Sequence, residues 1–306
     1  QAARLNNNGG IAREENRMSA VLNSSGLKIT KIKEHIGAEA TGIDLREPVD
    51  AATVQRLQDS IAEHVVLVIR DQQFTPAQYQ AACELLGELM EDQNRRYLVD
   101  GHPLVSVLSN QHKDSTGKQA KVAKNATWHT DHTNQERPPK FTILHPVALP
   151  DKGGGTSVCN MHAAYEALPD VWKQRITNMQ TANTLLSTAR FSHANPDIVQ
   201  AQTHNATPPR IQPLVRTHPE RGTKAIWFHK GKTEKVLGME PAETQAFLDE
   251  LLEIAIKPEF VYVHEYRLGD MLIIDNRTAM HKAGFDYDHS QHRMLYRVLV
   301  RGDKPY

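Results

Sequence analysis

The second half of the chain is a succession of short apolar runs separated by turn residues, and this pattern restricts the fold more than any other feature. Each run has the length of a β-strand, and glycine, proline, aspartate or asparagine residues stand between the runs. Many short strands with turns at close intervals favour a β-sandwich or a jelly roll. The predicted strands are Lys140–Leu149, Gly155–Met161, Pro213–His218, Lys224–His229, Glu259–Arg267, Asp270–Asp275 and Arg293–Arg301.

Helices are predicted on both sides of these strands. Ala51–His64 has apolar residues at helical spacing and leads into Val65–Arg70, a continuous apolar run typical of a buried strand. Thr75 is expected to cap a helix that has proline at its first position. The sequence therefore indicates a mixed α/β, strand-rich chain with flanking helices. A strand is also expected at Leu27–Ile36, and helices at Pro76–Leu89, Ala163–Thr177 and Pro241–Ile256.

The chain of 306 residues shows no internal repeat and no linker. We therefore expect one domain over residues 27–306, preceded by a flexible N-terminal extension over residues 1–26. The segment from about 92 to 126 is polar and irregular apart from His102–Ser109, as lids over binding sites often are.

Charge and cysteine content limit the partners of the chain. Lys and Arg total 36, as do Asp and Glu, so the formal net charge is zero and a nucleic acid is not expected as a partner. The longest apolar runs are far shorter than the roughly 20 residues that cross a bilayer. Cys83 and Cys159 stand apart in unlike contexts, which is more typical of a reducing cytoplasm than of a disulfide framework. We therefore predict a cytoplasmic protein with neither membrane nor nucleic-acid contacts.

The strongest local signal for chemistry is WHTDH at residues 128–132. In an extended segment side chains alternate, so His129 and Asp131 point to the same face. An imidazole and a carboxylate placed in this way can take two neighbouring positions around an octahedral metal ion. A histidine from elsewhere would complete the 2-His-1-carboxylate set of non-haem iron oxygenases. Alone, however, the motif is equally compatible with a solvated loop.

A second group of residues follows the apolar run DMLIID. His281 comes shortly after that run, and Arg293 and Arg297 follow on the next predicted strand, on the same face because their separation is even. Guanidinium groups bind carboxylates through two parallel hydrogen bonds. Surface salt bridges are the alternative explanation for these arginines.

Taken together, these motifs resemble the taurine and 2,4-dichlorophenoxyacetate dioxygenases (the TauD/TfdA family), a branch of the Fe(II)/2-oxoglutarate oxygenases. The resemblance extends from about Ile36 to Pro305 and keeps the order and spacing of its landmarks. These landmarks are IGAEATGIDL, VVLVIRDQQFTPAQ, NATWHTDHT, PDKGGGTSVCNMHAAYEALP, PLVRTHPERGTKAIWFH and DNRTAMHKA, followed by HRMLYRVLVRGDKP.

The resemblance implies a distorted double-stranded β-helix, or jelly-roll, core flanked by helices. It also implies that His129, Asp131 and His281 bind Fe(II), and that 2-oxoglutarate and O2 are consumed as succinate and CO2 are formed. Related halogenases lack the carboxylate and bind halide in its place, so Asp131 favours oxygenation. Family members are commonly homodimers or homotetramers.

The resemblance also assigns residues to the two organic substrates. Arg293 matches the arginine that holds the distal carboxylate of 2-oxoglutarate, and Thr156 matches the hydroxyl that assists it. Arg297 matches the arginine that several members use on the anionic end of the primary substrate. Asn125 lies where the taurine enzymes have an asparagine that contacts the substrate. His229 follows a core-like strand and is a further candidate for the substrate pocket.

The primary substrate is expected to be a small organic anion: a carboxylate, an aryloxyalkanoate or a sulfonate. Taurine enzymes have a sulfonate-binding histidine soon after a turn that here reads GELMED, with Asp92 near its place, so taurine is disfavoured. Lys230–Lys235 is interpreted as a solvated turn. A zinc-dependent hydrolase with the same three ligands and a non-catalytic ligand-binding member of the family remain alternatives.

Overall fold

A computed structural model describes residues 25–93, 95–113, 127–185, 187 and 208–306. Within these ranges the helices are α1 (Ala51–His64), α2 (Pro76–Glu84), α3 (Met161–Glu166), α4 (Asp170–Ile176) and α5 (Pro241–Ala255), with a 3-10 turn at Pro258–Phe260. The strands are β1 (Lys28–Lys31), β2 (Ala38–Thr41), β3 (Val66–Ile69), β4 (Leu89–Met90), β5 (Leu98–Val99), β6 (His102–Ser109), β7 (Pro139–Ala148), β8 (Thr156–Asn160), β9 (Gln180–Asn183), β10 (Arg210–Pro213), β11 (Val215–Thr217), β12 (Lys224–Ile226), β13 (Thr233–Val236), β14 (Val261–His264), β15 (Met271–Asp275), β16 (Ala279–Ala283) and β17 (Met294–Arg301).

Two sheets form the centre of the fold. The large sheet has the strand order β1-β2-β3-β15-β7-β17-β6-β5, with β4 also paired to β17, and it joins the beginning of the described chain to its end. The small sheet has the order β14-β8-β16. The pairs are antiparallel apart from β2 with β3. Face-to-face packing of two such sheets is the arrangement of a sandwich or jelly roll.

The side chains of β3 show how the layers are organised. Val66 and Val68 belong to the apolar cluster between the two sheets, which also contains Val158 from the small sheet. Leu67 and Ile69 point to the opposite face, into a second cluster. Alternate side chains of a strand face opposite sides of a sheet, so a strand that is covered on both faces is apolar throughout.

Helices cover the outer face of each sheet. The second cluster packs Leu57 and Ile61 of α1 and Tyr79 of α2 on the large sheet. A third cluster packs α3 and α5, including Leu248 and Leu251, on the small sheet. The order of layers is therefore helix, sheet, sheet, helix, which confirms the strand-rich mixed α/β core with flanking helices.

Several boundaries differ from those predicted. The strand expected at Leu27–Ile36 is only β1, because the chain turns before Gly37, whose φ is +91°. The single helix expected at Ala163–Thr177 is two helices, because Pro169 lacks the amide hydrogen that a continuous helix needs. The helix opened by Thr75 ends at Glu84 rather than extending to Leu89.

Part of the segment proposed as a lid belongs to the large sheet, where β5 and β6 pair with each other and β6 pairs with β17. Residues 114–126 of that segment lie outside the described residues. Among the helices that the structure describes, none is long and apolar enough to cross a membrane.

Candidate metal centre and adjoining pocket

Backbone pairing brings the distant histidines of the predicted metal site together. His129 lies between two neighbouring segments, opposite His281 of β16 and opposite His229 after β12. The amide of His129 donates to the carbonyl of His281 at 3.1 Å, and the amide of His281 donates back at 2.8 Å. His129 thus adds one short stretch of backbone to the small sheet, and the chain turns directly after it, at Asp131 and His132.

One nitrogen or oxygen atom from each of His129, Asp131 and His281 lies within 4.8 Å of the other two. Nε2 of His129 is 3.7 Å from Oδ1 of Asp131, and Nε2 of His281 is 3.7 Å from Oδ2 of the same carboxylate. Asp131 and His281 are buried. Among the described residues, this is the cluster of histidine, cysteine and acidic side chains with the geometry to hold a metal ion.

The ionisation of the two buried side chains suits a divalent cation. Burial alone would raise the pKa of Asp131, but the neighbouring imidazoles and the Arg297 guanidinium hold it well below its usual value. Burial lowers the pKa of His281 to about 3. A carboxylate anion and a neutral imidazole are the forms that bind metals.

Further hydrogen bonds orient these ligand atoms. Nδ1 of His129 is 2.8 Å from the carbonyl oxygen of Thr127, which accepts a hydrogen bond from Nδ1–H. This leaves Nε2 of His129 as the ligand atom. Oγ1 of Thr142 donates to Oδ2 of Asp131 at 2.7 Å, and Asn276 donates to Thr142 at 2.7 Å. The three residues therefore fit a metal centre with supporting contacts, and protein ligands occupy only three of its positions.

Arg293 immediately precedes β17, and the glycine-rich turn before β8 fixes its side chain. Its Nε donates to the carbonyl of Gly154 at 2.7 Å. Gly154 has a φ of +69°, and a Cβ at this position would stand 3.0 Å from Nε and Cδ of Arg293. Glycine is needed here for both reasons. Within the described residues, the two Nη groups of Arg293 have no partner, so they can face an anion.

Thr156 follows the same turn and is buried. Its hydroxyl is 2.8 Å from the hydroxyl of Tyr266. The ring centroids of Tyr266 and Tyr287 lie 5.9 and 6.0 Å from the Arg293 guanidinium carbon. Tyr266 was not predicted as a site residue. It lies in EFVYVHEYR, which was predicted only as a strand, and nothing in that sequence shows which of its tyrosines contacts Thr156.

Arg297 is already paired with an acidic side chain. Its guanidinium forms an ion pair with Asp92, which also accepts a hydrogen bond from Ser106 at 2.8 Å. Burial would raise the pKa of Asp92, but Arg297 and His132 hold it below its usual value. Arg297 is thus paired with the buried Asp92 rather than being a lone cation, which the sequence did not indicate.

The interpretation of Lys230–Lys235 as a solvated turn is only partly right: residues 230–232 form a turn, but the ammonium of Lys232 bonds to protein groups. Lys232 is partly buried, and its ammonium donates to Oε1 of Gln93 at 2.8 Å and to the carbonyl of Leu185 at 3.3 Å. The segment then enters β13, which pairs with β9. Burial lowers the pKa of Lys232 to about 8, although Asp131 and Asp92 partly oppose this. A second cation therefore stands close to the candidate metal centre.

The remaining predicted residues have different outcomes. The ring of His229 lies 4.7 Å from that of His129, and its Nδ1 accepts a hydrogen bond from the amide of Gly231 at 3.0 Å. His229 therefore lies beside the metal cluster. Asn125 is outside the described residues. Arg293 and Arg297 both line one cavity of about 340 Å³, as their shared face predicts.

Comparison with known proteins agrees with this geometry. Residues 28–299 match the family described as "Taurine catabolism dioxygenase TauD, TfdA family". An α-ketoglutarate-dependent 2,4-dichlorophenoxyacetate dioxygenase of Cupriavidus pinatubonensis is 33% identical over 270 residues, which cover 85% of this chain and 93% of that protein. An alkylsulfatase of Acinetobacter baylyi is 30% identical over 294 residues, 90% of this chain and 86% of that protein.

Solved structures show the same fold. The structure of AAD-2 in complex with Mn(II) and N-oxalylglycine has a TM-score of 0.74 at 28% identity, over 91% of this chain and 98% of the other. A taurine dioxygenase from Burkholderia xenovorans has a TM-score of 0.73 at 28% identity, over 92% and 91%. The chain belongs to the taurine catabolism dioxygenase TauD, TfdA family and is a 2-oxoglutarate-dependent dioxygenase.

Proposed function

We propose that the protein is an Fe(II)-dependent dioxygenase that hydroxylates a small organic monoanion. The convergence of His129, Asp131 and His281 within 4.8 Å of one another carries this proposal. Two neutral imidazoles and one carboxylate with open positions are the ligand set of Fe(II) oxygenases. Family membership favours this reaction over the hydrolase and non-catalytic alternatives.

The protein's part in the reaction is to hold and orient. Bound Fe(II), with 2-oxoglutarate and O2, supplies the oxidising power that hydroxylates a C–H bond while succinate and CO2 are released. Arg293 offers its two Nη groups to the distal carboxylate of the oxoacid, and Thr156 lies near that guanidinium. Thr142 and Thr127 keep the metal-binding atoms aligned.

The charges near the metal support a monoanionic primary substrate. Arg297 and Lys232 contribute two positive charges, and Asp92 offsets one of them. Because the pair with Asp92 occupies part of the Arg297 guanidinium, we assign the anionic end of the substrate to Lys232 together with the free side of Arg297. Asn125 and His229 remain proposed contacts of the substrate.

The named activities of relatives point to the same chemical class. They include dioxygenases of 2,4-dichlorophenoxyacetate and of (S)-phenoxypropionate, a sulfate ester dioxygenase and an alkylsulfatase. Each of these compounds is a small organic molecule with one anionic group. A pocket with one positive charge in excess is complementary to such a molecule.

A screen for succinate formation tests this proposal. Aryloxyalkanoic acids such as 2,4-dichlorophenoxyacetate and alkyl sulfates would be supplied with Fe(II), 2-oxoglutarate and O2, each beside its neutral methyl ester or alcohol. We expect one or more anions to stimulate succinate release and their neutral counterparts to have little effect. Equal stimulation by the neutral compounds would contradict the monoanion assignment.

Residues 27–306 are further proposed to form one domain that assembles as a homodimer or homotetramer in the cytoplasm. Light scattering on the purified protein tests the assembly state.

A further inference from the structure

A buried pair of hydroxyls lies beside the guanidinium of Arg293. The hydroxyl of Tyr266 is 2.8 Å from Oγ1 of Thr156, and the centroid of its ring is 5.9 Å from the Arg293 guanidinium carbon. Tyr266 therefore neighbours both residues to which the distal carboxylate of 2-oxoglutarate is assigned. In sequence, Tyr266 belongs to the segment between β14 and β15, 110 residues after Thr156.

Counting protons shows what this contact does. Either hydroxyl can donate to the other, so the pair has two protons and their mutual hydrogen bond uses one. Burial raises the pKa of Tyr266 to about 12, so both protons are present near neutral pH. One O–H donor is therefore left over, in a pair of residues whose tyrosine ring centroid lies 5.9 Å from the Arg293 guanidinium carbon. A carboxylate is the acceptor that suits both donors.

The ring of Tyr266 is also held in place by its packing against His264. It packs edge-on against His264, with ring centroids 4.6 Å apart. Nε2 of His264 is 3.1 Å from Oδ2 of Asp270, and Asp270 accepts two hydrogen bonds from Arg70 at 2.8 and 2.9 Å. Side chains fixed in this manner keep a binding group within a narrow range of positions.

We propose that Tyr266 is a positioning residue for 2-oxoglutarate, acting by orienting the Thr156 hydroxyl toward the carboxylate held by Arg293. The proposal rests on the proposed function. Its consequence is that removing the tyrosine hydroxyl weakens oxoacid binding through Thr156 while the metal centre, formed by other strands, keeps its affinity.

The test is an anaerobic titration of 2-oxoglutarate into the Fe(II)-loaded protein, followed by the visible charge-transfer band of the complex. For Tyr266→Phe we expect the dissociation constant of 2-oxoglutarate to rise about 10-fold, the low end of what a hydrogen bond to a charged group contributes. The Fe(II) dissociation constant should stay unchanged. Phenylalanine keeps the ring, so the packing on His264 is retained.

Tyr165→Phe is the matched control. Tyr165 also pairs its hydroxyl with that of a threonine, Thr177, at 3.0 Å, but it lies on α3 and packs in the third cluster. We expect this variant to bind 2-oxoglutarate as the wild type does. An equal loss in both variants would overturn the proposal, because it would show a general effect of removing a buried tyrosine hydroxyl.

A double-mutant cycle with Thr156→Val tests the route through Thr156. In the Thr156→Val background, Tyr266→Phe should cause little further loss of affinity. Unchanged oxoacid binding in Tyr266→Phe, or full additivity of the two changes, would overturn the proposal. Failure of the wild-type protein to bind 2-oxoglutarate would instead count against the proposed function itself, with this inference falling along with it.

Discussion

Nε2 of His281 lies 3.7 Å from Oδ2 of Asp131, and the same oxygen accepts a hydrogen bond from Thr142 at 2.7 Å. The carboxylate is thus held on one side by a hydroxyl and faces an imidazole nitrogen on the other. Nε2 of His129 is equally close to the second carboxylate oxygen, at 3.7 Å. One cation shared by the three side chains satisfies these atoms, and the hydrogen bonds around them keep the arrangement fixed.

Thr142→Val tests this support directly. The substitution removes the donor to Oδ2 of Asp131 and keeps the size and β-branching of the side chain. Contacts that orient metal ligands typically change metal affinity 10–100-fold. We expect a loss of about that size in an anaerobic Fe(II) titration. Thr142→Ser keeps the hydroxyl and should bind Fe(II) nearly as the wild type does, and equal losses in both variants would argue against this role of the hydroxyl.

Arg293→Ala tests the oxoacid site. Truncating one partner of a charge-assisted pair that is buried from water costs on the order of 2–5 kcal/mol. We therefore expect a rise of at least about 30-fold in the 2-oxoglutarate concentration needed for half-saturation, with Fe(II) affinity little changed. An unaltered dependence on 2-oxoglutarate would show that Arg293 has another task.

The lowered pKa of Lys232 predicts that substrate binding depends on pH. Burial lowers its pKa to about 8, so the ammonium is charged below that pH and neutral above it. If Lys232 holds the anionic end of the substrate, the KM for that substrate should rise as the pH passes from 7 to 9. Lys232→Met should have a higher KM at pH 7 and lack this rise. A wild-type KM that is flat over this range would rule out the contact.

Asp275→Asn tests a buried charge cluster that supports the loop before His281. Asp275 is fully buried and pairs with Arg277 at 2.7 Å and with His218 at 3.1 Å. Breaking a buried pair costs about 3–5 kcal/mol of unfolding free energy. Arg277 keeps Glu220 as a second partner at 2.8 Å, so we expect a loss at the lower end of this range. Urea unfolding at pH 7 measures this loss. Asp59→Asn, on the exposed face of α1, should change the unfolding free energy by less than about 0.5 kcal/mol.

The same variant should alter how stability depends on pH. Burial would raise the pKa of Asp275, but Arg277 and His218 hold it below its usual value. The native state therefore binds this proton less readily than the unfolded chain does. The stabilisation is fully present above about pH 4, the ordinary range of an aspartate, and is lost as the pH falls toward the lower folded value. Asp275→Asn should lack this part of the acid-induced loss.

Much of the fold could be predicted from sequence because local patterns determine it. Helix α1 has the predicted bounds Ala51–His64, and Thr75 is the N-cap that was expected, in a capping box with Gln78. β3 and β15 read as continuous apolar runs because both faces are covered. Strands such as β9 and β13 were missed, because their polar sequences pair through backbone hydrogen bonds that leave no periodic apolar signal.

The site was predictable only in part. The spacing of His129 and Asp131 indicates a shared face, and family resemblance adds His281. The pairing of Asp92 with Arg297, the burial of Lys232 and the contact of Tyr266 with Thr156 depend on how separate segments pack. Contacts of this kind join residues far apart in the chain, so no local sequence pattern predicts them.

The central claim is that one site holds Fe(II) and 2-oxoglutarate together. Its most direct test is visible absorption of the protein under anaerobic conditions as Fe(II) and then 2-oxoglutarate are added. We predict a weak charge-transfer band that appears only with both present and is absent from the Asp131→Ala/His281→Ala double variant. Absence of the band from the wild type, or its survival in the double variant, would contradict the assignment.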